Sequence, residues 1–322
     1  MMTMGLLISH KNNEKRRALI PPHLSSIKHI RNLYFEQGYG EALGYGDGEY
    51  LTAGAQICSR EEALKCDIIC DVKLGDADFL EMLEPGRLLC GWAHAVQSIS
   101  FTTAAFKGRH SVLAWEEMEE EGKYLYSRNR EVAGEAAVLH GFRYCGKMPY
   151  DTRVAILGNG QTAKGAMRIL HGLGAEIDVY PRKLEKLFKK RMYGYDVIVN
   201  CVFWDTSRTD HIIYKSDLAK FKPGTLIIDV SCNHGLEIES TRPTSIDNPV
   251  YTIDGVIHYA VDNTPAMFPI TISKYISETF SLLVDSLITE KWPGFFHKAL
   301  VIEKGRPLDE HILEYRRCRG II

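Results

Sequence analysis

At 322 residues, with 45% hydrophobic and 25% charged side chains and a formal charge of −2, the chain has material for two domains with ordinary globular cores. The near-neutral charge leaves no electrostatic footprint for nucleic acid. No stretch approaches the ~18 consecutive apolar residues of a membrane span, and the start, Met1 to His10, lacks the apolar core of a signal peptide. A polyanion binder and a membrane protein are therefore not expected, and the cytoplasm is the expected compartment.

In chain order, short apolar runs alternate with helix-like segments from Gly5 to about Trp115: Gly5 to Ile8, Leu33 to Phe35, Cys66 to Val72, Arg87 to Trp92 and Ser111 to Trp115. This is an α/β pattern of parallel strands. Ser59-Arg60-Glu61-Glu62 reads as a capped helix start, and Asp76 to Leu83 as another short helix. A helix with small residues, Glu131 to Tyr144, leads into a second strand series: Arg153 to Leu157, Glu176 to Tyr180, Asp196 to Val202, Thr225 to Val230 and Ile257 to Val261. Thr271 to Ile288 then places Ile272, Ile276, Phe280, Leu283 and Leu287 on one helical face.

The expected fold is α/β with two doubly wound parallel-sheet domains. Residues 1–130 with 285–322 form a substrate domain, and 131–284 a Rossmann dinucleotide-binding domain with linking helices. The eight cysteines include no CxxC pair, and Cys66 and Cys70 fall in or beside an apolar run, so reduced, mostly buried thiols and no metal site are expected.

The most specific chemical signal follows the strand Val154 to Leu157, where Gly158-Asn159-Gly160-Gln161-Thr162-Ala163 opens a helix. This is GxGxxA between a strand and a helix. Gly158 permits the tight turn, Gly160 lets the backbone approach a pyrophosphate, and Ala163 lets helix and strand pack closely. An NAD-binding strand normally ends on an acid that holds the adenosine ribose. Here the second strand ends Val179-Tyr180-Pro181-Arg182-Lys183. With no acid there, and with Arg182 and Lys183 suited to a 2′-phosphate, NADPH is the expected cofactor; two solvated basic residues opening a helix are the plain alternative.

Three features of the first half stand out chemically. Lys11-Asn12-Asn13-Glu14-Lys15-Arg16-Arg17 follows the first strand directly and would suit an anion, although such basic runs are often merely solvated. Lys73 and His94 each follow the carboxyl end of a strand, the edge that faces ligands in open α/β sheets.

Together, Lys11 to Pro21, Asp71-Val72-Lys73, Gly91 to His94, Glu131 to Gly134, the GxGxxA loop, Ile228 to Val230 and Val261 to Pro265 resemble the alanine dehydrogenase and transhydrogenase family over nearly the whole chain. Within it, the short length suggests the branch of the carboxyethylornithine synthases, with saccharopine-forming dehydrogenases more distant. The resemblance implies that an N-terminal Arg and a Lys hold a 2-oxo acid while a His acts as acid/base. Those roles fall on Arg16, with Arg17 as the alternative, Lys73 and His94. It also puts Asn263 and Pro265 near the nicotinamide and implies a homo-oligomer.

One departure is Asn233, in a loop position where the family often carries an Asp. An amide cannot accept a proton, so that acid/base or ammonium-pairing role is in doubt, and His234 is a candidate to take it over. Asn233 is kept as a substrate-binding residue. The expected reaction is NADPH-dependent reductive condensation of a pyruvate-like 2-oxo acid with the amino group of an ornithine- or lysine-like amino acid. Glu116, Arg17 and His234 are unassigned candidates for holding that second substrate. Two alternatives stand beside it: an amino acid dehydrogenase using free ammonia, and a catalytically silent NADPH-binding sensor.

Overall fold

The apolar runs of the first half become short parallel strands, Met4–Leu6 (β1), Leu33–Glu36 (β2), Gln56–Cys58 (β3), Ile68–Cys70 (β4), Leu88–Gly91 (β5) and Ser111–Ala114 (β6), followed by a two-stranded ribbon, Glu119–Glu120 (β7) with Lys123–Tyr124 (β8). The second series is Arg153–Leu157 (β9), Glu176–Tyr180 (β10), Val197–Asn200 (β11), Leu226–Asp229 (β12), Val250–Ile253 (β13) and Val256–Tyr259 (β14); the tail adds Leu300–Glu303 (β15) and Arg306–Pro307 (β16). This computed structural model describes residues 1–205, 208–232 and 234–321.

The chain divides into two compact units, Met1–Ser127 with Pro269–Ile322, and Arg128–Phe268. Among the described residues the first carries an eight-stranded sheet in the order β16-β15-β6-β5-β4-β1-β2-β3, the second a six-stranded sheet in the order β10-β9-β11-β12-β14-β13. In the first unit, Ile69, Leu89, Val112 and Ile302 stack against Phe79, Phe101 and Ile312. In the second, Ile198 and Ile227 face Phe188 and Tyr195 on one side of the sheet, while Val154, Ile156 and Ile228 face Ala163, Ala166 and Leu170 on the other. The second sheet is thus covered on both faces, and in the first the central strands β1, β4 and β5 are buried throughout, as central parallel strands require.

Several boundaries differ from the sequence reading. The helix Pro269–Ile288 belongs to the first unit from its start, so the second crossing lies at 268/269 and not at 284/285. Ser273 Oγ accepts from Arg17 N and Ser277 Oγ from Ile20 N, both at 2.9 Å, and Phe280 packs on Trp115. The helix expected over Asp76 to Leu83 is instead two isolated 3₁₀ turns, Leu74–Asp76 and Leu80–Met82. Asp76 and Asp78 reach outward to Lys11 and His10, and such short acidic side chains favour local bonds over helix. Not every strand is parallel: β13 pairs antiparallel with β14 at one sheet edge, and β15 with β6 and β16 at the other.

Candidate active site

In the first unit β6, β5, β4 and β1 are neighbouring parallel strands, and the segments leaving their carboxyl ends carry Glu116, His94, Lys73 and Arg16 in that order. The chain winds from β1 outward to β2 and β3, then returns to β4 on the other side of β1. The strand order therefore reverses between β1 and β4, the place where open α/β sheets bind ligands. Arg16 and Lys73 bracket that point.

Arg16 and Lys73 are buried among neighbours, Glu116 is half-buried, and the turn at His94 is held through its backbone. Arg16 is 2% exposed; it donates through Nε to Glu14 Oε1 at 2.9 Å and through Nη2 to Oε2 at 2.5 Å, with its guanidinium 4.9 Å over the Trp92 ring. Arg17 turns away, donating to the main-chain oxygens of Arg16 and Tyr39 and stacking on Tyr39. Its guanidinium is thus committed to the backbone, whereas that of Arg16 is committed to a carboxylate. Lys73 is buried; its main-chain N donates to Asp71 Oδ1 at 2.8 Å, and Nζ lies 3.7 Å from Asp76. Burial pushes the Asp71 carboxyl up to about 6, opposed by the bond from Lys73 N. His94 is exposed and has φ +44°, a left-handed conformation that brings Gln97 N and Ser98 N onto its carbonyl. Such strain is worth ~1 kcal/mol or more and is kept where neighbours enforce it.

One such neighbour is Glu116, missed as a specific site residue because in sequence it is one acid among several. Its Oε2 accepts from Ala93 N at 3.1 Å, tying the end of β6 to the His94 turn. Burial pushes its carboxyl up to about 7, against main-chain donors that lower it. A carboxyl with a higher pKa folded than unfolded binds extra proton in the native state. Its penalty is therefore absent below its ordinary value of 4.5 and grows as pH rises to about 7. Glu116→Gln keeps an acceptor for Ala93 N without that titration. Relative to the wild type, this variant should gain about 1–3 kcal/mol between roughly pH 5 and pH 7.5. Urea unfolding at the two values checks this, and a difference that does not change with pH contradicts it.

In the second unit β9 runs into the GxGxxA loop and the helix Gln161–Gly172. Gly158 has φ +100°, and a Cβ there would lie 2.8 Å from Cys201 O, so the loops after β9 and β11 approach closely at this sheet's own switch point. Around Gly160 a Cβ would meet nothing within 4 Å, and Gly160 caps the helix without a side-chain bond. The first-turn amides therefore border open space, which fits a pyrophosphate. Asn159 is exposed, Gln161 and Thr162 are half-buried, and Ala163 is buried in the helix–sheet contact.

At the end of β10 Arg182 and Lys183 are exposed in a single 3₁₀ turn, and Arg182 Nη2 lies 3.5 Å from Phe203 O. Arg182 borders a recess, open to solvent, that is also lined by Glu185 and Arg208. Sequence reasoning missed these two, because neither lies in the two basic residues directly after the strand. Further along the same edge the buried Asp229 carboxylate accepts from Asn200 Nδ2 (2.9 Å), Thr241 Oγ1 (2.7 Å) and Cys232 N (3.1 Å). These bonds fix the start of the following loop. Asn233 lies outside the described residues, and His234 is exposed. After β14, Asn263 has φ +64° and opens the turn Thr264–Met267, with Pro265 buried.

Among the described residues no cluster of three or more His, Cys, Asp or Glu is placed to hold a metal, and no helix is long and apolar enough to cross a membrane. The eight cysteines are free.

Comparison with known proteins shows the family of both units. The alanine dehydrogenase/PNT N-terminal domain matches residues 7–127 and the corresponding C-terminal domain residues 141–310. The chain belongs to the alanine dehydrogenase/PNT family. It is 32% identical over 297 residues to the N(5)-(carboxyethyl)ornithine synthase of Clostridium botulinum, covering 87% of this chain and 93% of that one. The enzyme of the same name from Lactococcus lactis is also 32% identical, over 325 residues, covering 96% and 100%. An alanine dehydrogenase from Methanococcus maripaludis is 26% identical, covering 89% and 86%. The fold is that of a solved L-alanine dehydrogenase, with a TM-score of 0.84 at 21% identity, covering 98% of this chain and 99% of that one. As a member of this family the chain is an NAD(P)-dependent oxidoreductase acting on CH–NH or CH–NH2 groups.

Proposed function

We propose that the protein reduces the imine formed between a pyruvate-like 2-oxo acid and the side-chain amino group of an ornithine- or lysine-like amino acid, using NADPH. The observation that carries this reading is the pairing of Arg16 and Lys73 across the β1/β4 switch point, with His94 leaving the next strand. A guanidinium and an ammonium at that edge suit a carboxylate beside a carbonyl oxygen. The synthases named above supply the amine class, and the basic pair Arg182 and Lys183 in place of an acid supports the phosphorylated cofactor.

In this mechanism Arg16 holds the oxo acid's carboxylate while Lys73 polarises its oxo group. The neutral amine adds to the carbonyl carbon. His94 relays a proton from the nitrogen to the departing hydroxyl, so that water leaves and the C=N bond forms. Bound NADPH supplies hydride to the imine carbon, and the product is a secondary amine joining the two amino-acid skeletons. The GxGxxA residues Gly158 to Ala163 would hold the pyrophosphate, Arg182 and Lys183 the 2′-phosphate, and Asn263 with Pro265 would border the nicotinamide. Asn233 is assigned to the substrate. A cytoplasmic homo-oligomer is part of the same reading.

The test is direct. Incubation with NADPH and pyruvate, plus ornithine, lysine or ammonia, should give the fastest loss of NADPH absorbance with a diamino acid, and mass spectrometry should find a secondary amine. Faster oxidation with ammonia, or a primary amine as the sole product, overturns the reading in favour of an alanine-type dehydrogenase. No oxidation with any amine leaves a silent cofactor binder.

A further inference from the structure

The recess at the end of β10 contains a carboxylate. Glu185, three residues after Arg182, lines it and is an acid of the kind that holds an adenosine ribose in NAD enzymes. It is not idle. Arg208 grips it with both arms of its guanidinium, Nη1 to Oε2 at 2.9 Å and Nη2 to Oε1 at 3.0 Å, and Lys189 Nζ adds a contact at 3.2 Å. Arg208 is in turn fixed from two other sides. Asp210 takes its Nε and Nη2 at 2.8 and 2.7 Å, and its plane lies 4.3 Å over Trp204. The bond from Arg208 holds the Glu185 carboxyl below its usual range, so it stays ionised and paired.

We propose that Arg208 is a positioning residue that sets cofactor choice: by clamping Glu185 it silences the carboxylate that would otherwise accept the 2′-hydroxyl of NADH and repel the 2′-phosphate of NADPH. Arg182 reads the phosphate by contact; Arg208 removes the opposing charge. Discrimination then comes from suppressing a repulsive element as well as from adding an attractive one. Lys189 does not replace the clamp, because it meets one oxygen only and also donates to His211 O at 2.7 Å.

The inference rests on the NADPH reading, and the experiment separates the two. Dissociation constants for NADPH and NADH are measured by nicotinamide fluorescence in the wild type and in Arg208→Gln, the double variant Glu185→Gln/Arg208→Gln, and Arg182→Ala, with thermal unfolding to check the fold. Arg208→Gln should shift the affinity ratio toward NADH by about tenfold or more, with NADH binding kept or tightened. The double variant should return the ratio to within about threefold of the wild type. Arg182→Ala should weaken NADPH by about tenfold to a hundredfold and leave NADH nearly unchanged. A ratio unmoved by Arg208→Gln, or no recovery in the double variant, overturns the inference; NADH bound more tightly than NADPH by the wild type overturns the cofactor reading instead. If Arg208→Gln does not fold, Arg208→Lys decides. One ammonium, with three donors, cannot reproduce the four bonds that the guanidinium makes to the two carboxylates, so its ratio should move the same way, and an unchanged ratio overturns the clamp.

Discussion

Turnover should fall by about a hundredfold to ten-thousandfold on changing His94 to Ala or Lys73 to Met, while NADPH binding persists. Both residues lie in the first unit, at the carboxyl ends of β5 and β4, whereas the GxGxxA loop and Arg182 belong to the second. His94 is exposed, so its truncation opens no cavity, and alanine at φ +44° faces the same modest strain that histidine already bears. Lys73 is buried and methionine keeps most of its length, so packing is largely retained.

The two variants should differ in kind. On the proposed mechanism the loss of His94 removes the proton relay, and the fall should appear in kcat. On the same mechanism the loss of Lys73 removes a ground-state contact to the oxo acid as well, so its KM should rise too. Steady-state kinetics with pyruvate varied, together with NADPH fluorescence titration, check both. Near-normal turnover in either variant would mean that the proton relay or the carbonyl contact lies elsewhere.

The GxGxxA loop was legible in the sequence because its chemistry is backbone chemistry. A strand, two glycines, a small residue and a helix dictate the geometry regardless of what packs around them. Lys73 and His94 could be singled out because they follow the ends of short strand-like runs, which fixes them at one sheet edge. The antiparallel strand β13 was equally legible and was passed over. Asp254-Gly255, with φ of +48° and +78°, is a two-residue hairpin turn between Val250–Ile253 and Val256–Tyr259. By contrast β3, three partly exposed residues at a sheet edge, has no apolar run to announce it. The tie between Glu116 and the His94 turn and the Arg208–Glu185 pair were beyond a sequence reading for another reason. Their roles come from contacts 23 residues away along the chain in each case, and spacing of that kind follows only from strand order. The acid absent from the end of β10 is likewise supplied from a neighbouring position, by Glu185, and then neutralised.

Glu14→Gln should destabilise the first unit by about 3–5 kcal/mol, the range for leaving one member of a buried ion pair without its partner. The Glu14 and Arg16 side chains are 0% and 1% exposed, and the carboxylate meets Arg16 N, Nε and Nη2. A glutamine amide offers a single acceptor oxygen and no charge, so part of the guanidinium loses its bonds while remaining under the Trp92 ring. Removing both charges should cost less than removing one. Glu14→Gln/Arg16→Met is therefore expected to be more stable than Glu14→Gln alone, although it discards the residue assigned to the oxo acid's carboxylate. Urea unfolding compares the stabilities, and the KM for pyruvate gives a second axis. In folded Glu14→Gln the KM should rise because the guanidinium is no longer pinned, and in the double variant it should rise further. A Glu14→Gln stability within about 1 kcal/mol of the wild type would show that Arg16 is held by other partners. The pair would then be a product of the fold and not the device that aims Arg16 at the switch point.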